Sequence, residues 1–153
     1  MTPAVRALRE RKVAFEPHLY EYEERGGTRR SAEALGVEEH AVVKTLVLET
    51  ETRKPLIVLM HGDREVSTKR LARTLGVKAV SPCEPRTAEK HTGYVVGGTS
   101  PFGTRARLPV YVERTIFQLP SIYINGGKRG FLVSIAPRVL RELLAVEEVE
   151  VGI

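Results

Sequence analysis

Apolar residues recur along the chain in short runs, each closed by glycine, proline or a charged cluster. Thr2-Pro3 supplies an N-cap followed by proline at the first helical position, and Val5 and Leu8 share one face of the short helix it opens. Phe15–Tyr22 alternates as a strand does, with His18, Tyr20 and Tyr22 on one face. Ser31 is expected to cap a second helix closed by Gly36, and Glu38–Val43 adds a turn before an apolar strand headed by Lys44. Lys54–Met60 is a nearly continuous apolar run that suits burial on both faces. With the polar turn Thr50–Arg53 between them, these two strands form a hairpin.

Ser67 caps a helix that runs to Leu75 and stops at Gly76. Lys78–Val80 reads as a short strand, and Glu84–Thr92 as a helix stopped by Gly93. Val95-Val96, Val110–Val112, Ser121–Ile124 and Phe131–Ile135 are further strands. Ala136-Pro137 opens the last helix, through Leu144, and Val149–Val151 is an edge strand. There is no internal repeat, low-complexity segment or linker. The pattern predicts an α/β fold, a mixed, curved and barrel-like sheet flanked by short α-helices, in one domain spanning residues 1–153.

A chain of 153 residues with 42% hydrophobic and 28% charged side chains can bury a sizeable core, which argues against disorder. No apolar run approaches the roughly 18 residues that span a bilayer. Met1-Thr2-Pro3-Ala4 has no secretory pattern, and the lone Cys83 leaves neither an internal disulfide nor a thiolate zinc cluster. A cytoplasmic protein without a membrane partner is expected. The net charge of +5 gathers at Arg25–Arg30, Lys69–Arg73, Arg105–Arg107 and Lys128-Arg129. Such a balance permits a polyanionic partner but does not require one, because solvated helix faces carry the same charge.

Familiar catalytic templates are missing. His18, His40, His61 and His91 show no metal-ligand spacing; His18 shares a predicted face with Tyr20, and the others read as surface or helix-end residues. Cys83 has no visible histidine to activate it, there is no GxSxG elbow, and Gly98–Gly103 lacks the GK[ST] ending of a phosphate loop. Two features stand out instead. Lys44 lies among core residues, where an ammonium is costly unless it reaches solvent, a polar pocket or an anion. Glycine is dense in Gly97-Gly98-Thr99-Ser100-Pro101-Phe102-Gly103 and in Asn125-Gly126-Gly127-Lys128-Arg129-Gly130, either as ordinary turns or where a ligand approaches the backbone.

Taken in order, Thr2-Pro3-Ala4, His18 and Tyr20, Lys44-Thr45-Leu46, Lys90–Gly103 and Tyr123–Gly130 resemble the YbaK/EbsC family of the prolyl-tRNA synthetase editing-domain superfamily, over nearly the whole chain. The resemblance implies a barrel-like mixed sheet and a free-standing editing deacylase that needs no metal or cofactor. Its partners would be aminoacyl-tRNA, above all tRNA(Pro), and prolyl-tRNA synthetase. Lys44 matches the family's essential lysine, Tyr20 its pocket tyrosine, and Gly97 the glycine whose backbone faces the substrate. His18, Thr45, Gly98, Ser100, Pro101, Phe102, Asn125, Gly126 and Gly127 are the accompanying substrate-binding candidates. In the YbaK branch the implied substrate is Cys-tRNA(Pro), whose own thiol attacks the ester, with backbone N–H groups near Gly97 and Gly98 as oxyanion donors. Leu132 departs from the pattern, since some members carry an aspartate there. Editing of Ala-tRNA(Pro), or a non-catalytic module binding tRNA or synthetase, are the alternatives.

Overall fold

Thr2 and Pro3 start the first helix, α1 (Pro3–Glu10), as expected: the Thr2 hydroxyl accepts the Val5 N–H at 3.1 Å, and Ala4, Val5 and Leu8 are buried. β1 (Glu16–Leu19) is shorter than the predicted Phe15–Tyr22 strand. It leaves the sheet after Leu19, and the Tyr20 N–H turns to the Gly130 carbonyl. α2 (Gly27–Leu35) begins ahead of Ser31, whose hydroxyl donates to the Thr28 carbonyl inside the helix rather than capping it; Gly36 ends it at φ +67°. A 3-10 turn at Glu39–Ala41 leads into β2 (Val42–Thr50), which pairs with β3 (Pro55–His61) as the predicted hairpin. Then follow α3 (Thr68–Leu75), capped by Ser67, β4 (Val80–Pro82) and α4 (Pro85–Thr92).

Val95-Val96 forms a turn rather than a strand. Beyond it come β5 (Val110–Glu113), a 3-10 turn at Arg114–Gln118, β6 (Ile122–Lys128), β7 (Phe131–Ile135), α5 (Arg138–Leu143) and β8 (Val146–Val149). The second glycine stretch is therefore part of β6, with a bulge between Asn125 and Lys128, and the β6–β7 connection is only Arg129-Gly130.

This computed structural model describes residues 1–153. The strands form one mixed sheet in the order β1-β7-β6-β2-β3-β5-β8, with β4 also pairing β2. On one face, α1 and α5 bring Leu8 and Leu140 against Ile57, Leu59, Val112, Ile124 and Val133. On the other, α3 lays Leu71 and Ala72 over Leu48, Leu56, Val58 and Met60, while α2 sets Ala32 against Val42 and Leu132. β3 thus buries alternate residues in two cores, which accounts for its unbroken apolar sequence. No helix is long and apolar enough to cross a membrane.

β3 ends at His61, which is wholly buried. Its Nδ1 lies 2.7 Å from the His40 carbonyl and its Nε2 2.6 Å from the Thr115 hydroxyl. A carbonyl only accepts, so Nδ1 carries the proton and the threonine donates to Nε2 in the neutral ring. The His40 ring stacks on it at 3.7 Å, with its Nδ1 2.9 Å from the Asp63 carboxylate. Burial above all holds the His61 pKa below the ordinary 6.5. The unfolded chain therefore takes up this proton first as pH falls, and stability present above 6.5 is lost from there down toward the depressed native value. Thermal unfolding should show a melting temperature that falls between about pH 7 and about pH 5, with a flatter dependence in His61→Gln. An unchanged slope in that variant would place the acid sensitivity on other groups.

Candidate functional site

β2 has β3 along one edge, but its other edge is divided. β6 pairs there at Val42 and Val43, and β4 at Leu48–Thr50, so Lys44, Thr45 and Leu46 face no strand on that side. The Val42 carbonyl accepts from Gly62 and the Thr50 N–H donates to Lys54 on the β3 side, whereas the Val47 carbonyl accepts from Cys83 on the other. Antiparallel alternation therefore turns the peptide groups of Thr45 toward the open edge. Side chains alternate as well. Val42 enters the cluster under α2, Leu46 and Leu48 enter the cluster under α3, and Lys44, on that same face, falls at the seam between them. Its side chain is 19% exposed and its Nζ lies 3.4 Å from Glu65, a carboxylate that is itself 80% exposed. Such a pair contributes about 0–1 kcal/mol.

The open edge and the seam border a cleft of about 510 Å³, within the size range of small-ligand sites. β2 lines it from Val42 to Leu46, the start of α2 supplies Thr28 and Ser31, and Tyr20, Gly97, Asn125 and Leu132 complete the wall. Burial, and then the neighbouring Tyr22, raise the Tyr20 pKa above its ordinary value, so its hydroxyl stays protonated at neutral pH. The Thr45 hydroxyl is buried without a hydrogen-bond partner.

Of the residues singled out in the sequence, Lys44, Tyr20, Gly97, Thr45 and Asn125 line this cleft. The remaining substrate-binding candidates lie outside its lining. His18 bonds the Ser134 hydroxyl at 2.9 Å and meets the Tyr123 ring edge-on; because β1 ends at Leu19, it does not share a continuing strand face with Tyr20. Gly98 is buried where a Cβ would come within 2.9 Å of the Lys128 and Arg129 backbone, and its N–H already donates to the Val95 carbonyl. Ser100, Pro101 and Phe102 are buried, Phe102 in the main core. Gly126 packs on the Phe131 ring, and Gly127 on Thr2 and Tyr94. The two glycine stretches thus meet each other, and Gly97, Thr99, Asn125 and Arg129 reach the cleft from them. Tyr22, Thr28 and Arg129 also line it; charge clustering alone pointed to Arg129, and nothing local marked Thr28.

The lining contains no histidine or cysteine. Cys83 lies elsewhere, its thiol pushed up to about 11 by burial and by Glu49. Within the cleft, the Thr28 hydroxyl donates to Glu39 and the Gly62 carbonyl, and that of Ser31 to the Thr28 carbonyl. His40, His61 and Asp63 bring potential metal-ligand atoms within 4.8 Å of one another, but both ring nitrogens of His61 are already hydrogen-bonded. What the cleft offers is the cations Lys44, Arg25, Arg30 and Arg129, two exposed carboxylates at Glu23 and Glu24, neutral hydroxyls and strand-edge peptide groups.

A model of the family described as "Aminoacyl-tRNA editing domain" matches residues 24–143. The chain is 32% identical over 143 residues to the "Putative Cys-tRNA(Pro)/Cys-tRNA(Cys) deacylase EbsC" of Enterococcus faecalis, covering 93% of this chain and 87% of that protein. It is 24% identical over 86 residues to a proline–tRNA ligase of Brachyspira hyodysenteriae, covering 56% of this chain and 15% of the ligase. In fold it matches a solved structure described as "a putative trans-editing enzyme for prolyl tRNA synthetase", with a TM-score of 0.84, 22% identity and coverage of 100% of this chain and 99% of the other.

Gly97 has φ +87°, and a Cβ there would stand 2.6 Å from the Tyr22 hydroxyl oxygen. Gly97→Ala is accordingly expected to lower the unfolding free energy by about 1–3 kcal/mol. Tyr22→Phe removes the opposing oxygen, so in the double variant it should recover part of that loss, as measured by urea unfolding of the full cycle.

Proposed function

The chain belongs to the aminoacyl-tRNA editing domain family, and we propose that it acts as a free-standing deacylase on mischarged tRNA, with Cys-tRNA(Pro) as its first substrate. The observation that carries this reading is the meeting of Lys44, Tyr20 and Gly97 in one cleft that holds no activated protein nucleophile. A synthetase pocket cannot strongly reject a side chain of nearly the same size, so a second site must remove the error.

A cysteinyl ester brings its own nucleophile. Its thiol sulfur bonds to the ester carbonyl carbon, the carbon–oxygen bond to the terminal ribose breaks, and the thiol proton ends on the departing ribose oxygen. The products are a thiolactone and intact tRNA, and the step as written uses no metal or cofactor. Lys44 orients the ester or ribose and stabilises charge developing on the carbonyl oxygen. The Gly97 N–H is the backbone donor to that oxygen; Gly98 is not, because its N–H is held by the Val95 carbonyl. Tyr20 contributes a neutral O–H donor. The Cys83 thiol takes no part.

Leu132 and Val42 give the cleft an apolar side. That wall suits an uncharged small side chain and supports a second reading, Ala-tRNA(Pro), in which water rather than a substrate thiol attacks. A deacylation screen of tRNA(Pro) charged with Cys, Ala, Ser and Pro separates the two. Clearance of Cys alone, rising with pH toward the thiol value of about 8.5, supports the thiol route, and equal clearance of Ala rejects it.

Lys44 lines the cleft, and its ammonium pairs only with exposed Glu65. Lys44→Ala should lower kcat/KM by about 100-fold or more while leaving the melting temperature within a few degrees, and Cys83→Ser should change neither. Near-normal turnover in Lys44→Ala would remove the lysine from the mechanism. Basic clusters would grip the acceptor stem through phosphates, with tRNA choice left largely to prolyl-tRNA synthetase. Comparable loss of Cys-tRNA(Pro) and Cys-tRNA(Cys), falling with salt, fits this division; a strong intrinsic preference insensitive to salt and synthetase contradicts it.

A further inference from the structure

Arg129 touches the Gly97 turn in two ways. Its Nε donates to the Val96 carbonyl at 2.9 Å, and its guanidinium lies over the Tyr22 ring, 5.2 Å from the centroid. Tyr22 in turn sets its hydroxyl against Gly97. One peptide further on, the Asn125 Nδ2 donates to the Gly97 carbonyl at 3.1 Å. The orientation of that amide is fixed, because its Oδ1 accepts the N–H groups of Gly127 and Lys128 at 2.7 and 3.1 Å. The carbonyls of Val96 and Gly97 are thus both held by the β6–β7 hairpin.

In a trans peptide the N–H points opposite to the carbonyl of the preceding residue. Opposite the Gly97 carbonyl, the Gly98 N–H donates to Val95 at 2.9 Å. Opposite the Val96 carbonyl, the Gly97 N–H has no acceptor in the protein. We propose that Arg129 is a positioning residue, which holds the Val96 carbonyl on the hairpin side and so keeps the Gly97 N–H presented to the cleft as oxyanion donor. This rests on the deacylase reading above. The turn needs such a latch: Val95 and Val96 are 42% and 52% exposed, and glycine released from its restraints visits several backbone conformations.

Arg129 is exposed, so a contact to a tRNA phosphate is the competing use. Two substrates separate the roles: Cys-tRNA(Pro), and 3′-O-cysteinyl-adenosine, which has no phosphate. Arg129→Met should lower kcat by about 10- to 100-fold on both, with little change in KM for the adenosine ester. Lys128→Met, which removes the neighbouring cation, should leave turnover of the adenosine ester unchanged. In ¹H–¹⁵N spectra the Gly97 and Gly98 amide signals should shift or broaden in Arg129→Met and stay in place in Lys128→Met. A loss confined to KM on the tRNA, or undisturbed glycine amides in Arg129→Met, overturns the proposal. If the unaltered protein hydrolyses neither ester, the deacylase reading fails and Arg129 loses its catalytic part, while the glycine amides still decide whether it latches the turn.

Discussion

A strand with a neighbour on each edge satisfies its own backbone, and β2 does so everywhere except at Lys44–Leu46, where the second edge is divided between β6 and β4. The cleft depends on that interruption. β6 runs beside β2 only as far as Ile124, next to the bulge that opens at Asn125, and β4 arrives only at Leu48. A peptide group left unpaired in a dry interior would cost about 1–3 kcal/mol, so the edge must be met by water or by a ligand. The glycines of β6 belong to the same construction. They allow the bulge, and the bulge carries Asn125 to the Gly97 turn.

The opposite covering of the sheet decides where a cation can stand. On the Lys44 face of β2, Val42 belongs to the apolar cluster under α2, and Leu46 and Leu48 to the one under α3. Lys44 falls between the two clusters, where it lines the cleft with its side chain 19% exposed. A buried ammonium without that outlet would shed its proton or disrupt the packing. Position on the strand and the spacing of two helices therefore do jointly what neither does alone.

Signals that act within a few residues were legible in the sequence. Thr2, Ser67, Gly36, Gly76 and Gly93 cap or stop helices through contacts within their own segments. The β2–β3 hairpin was legible because both strands carry their apolar pattern beside a polar turn. What could not be read depends on distant chain. β1 stops where its partner turns at Gly130, so the face shared by His18 and Tyr20 does not exist. Val95-Val96 looks like a strand, but no strand lies beside it to pair with it. His61 is buried by a threonine 54 positions away and a carbonyl 21 positions away, beyond the reach of any spacing rule. The glycine motifs marked the right region, but most of their residues pack the two stretches against each other and against α1 rather than lining the cleft.

A cleft built this way is rich in donors, and its two carboxylates, Glu23 and Glu24, are both exposed. Tyr20 remains protonated, the hydroxyls of Thr28 and Ser31 already donate to neighbouring oxygens, and the Cys83 thiol lies outside the cleft and is held protonated. On the proposed reading, discrimination then begins with chemistry rather than fit. Such a site stabilises an oxyanion wherever one forms, but it does little to create one, so a substrate that carries a nucleophile next to its ester reacts and one that lacks it waits for water. Prolyl and cysteinyl esters differ little in bulk, and a pocket separating them by shape alone would gain only about 1–3 kcal/mol. The absence of a protein nucleophile adds a second difference on top of that one, because only the cysteinyl ester has a thiol. Leu132 sharpens the dependence: without an acid at that wall, no carboxylate there can activate the thiol or a water.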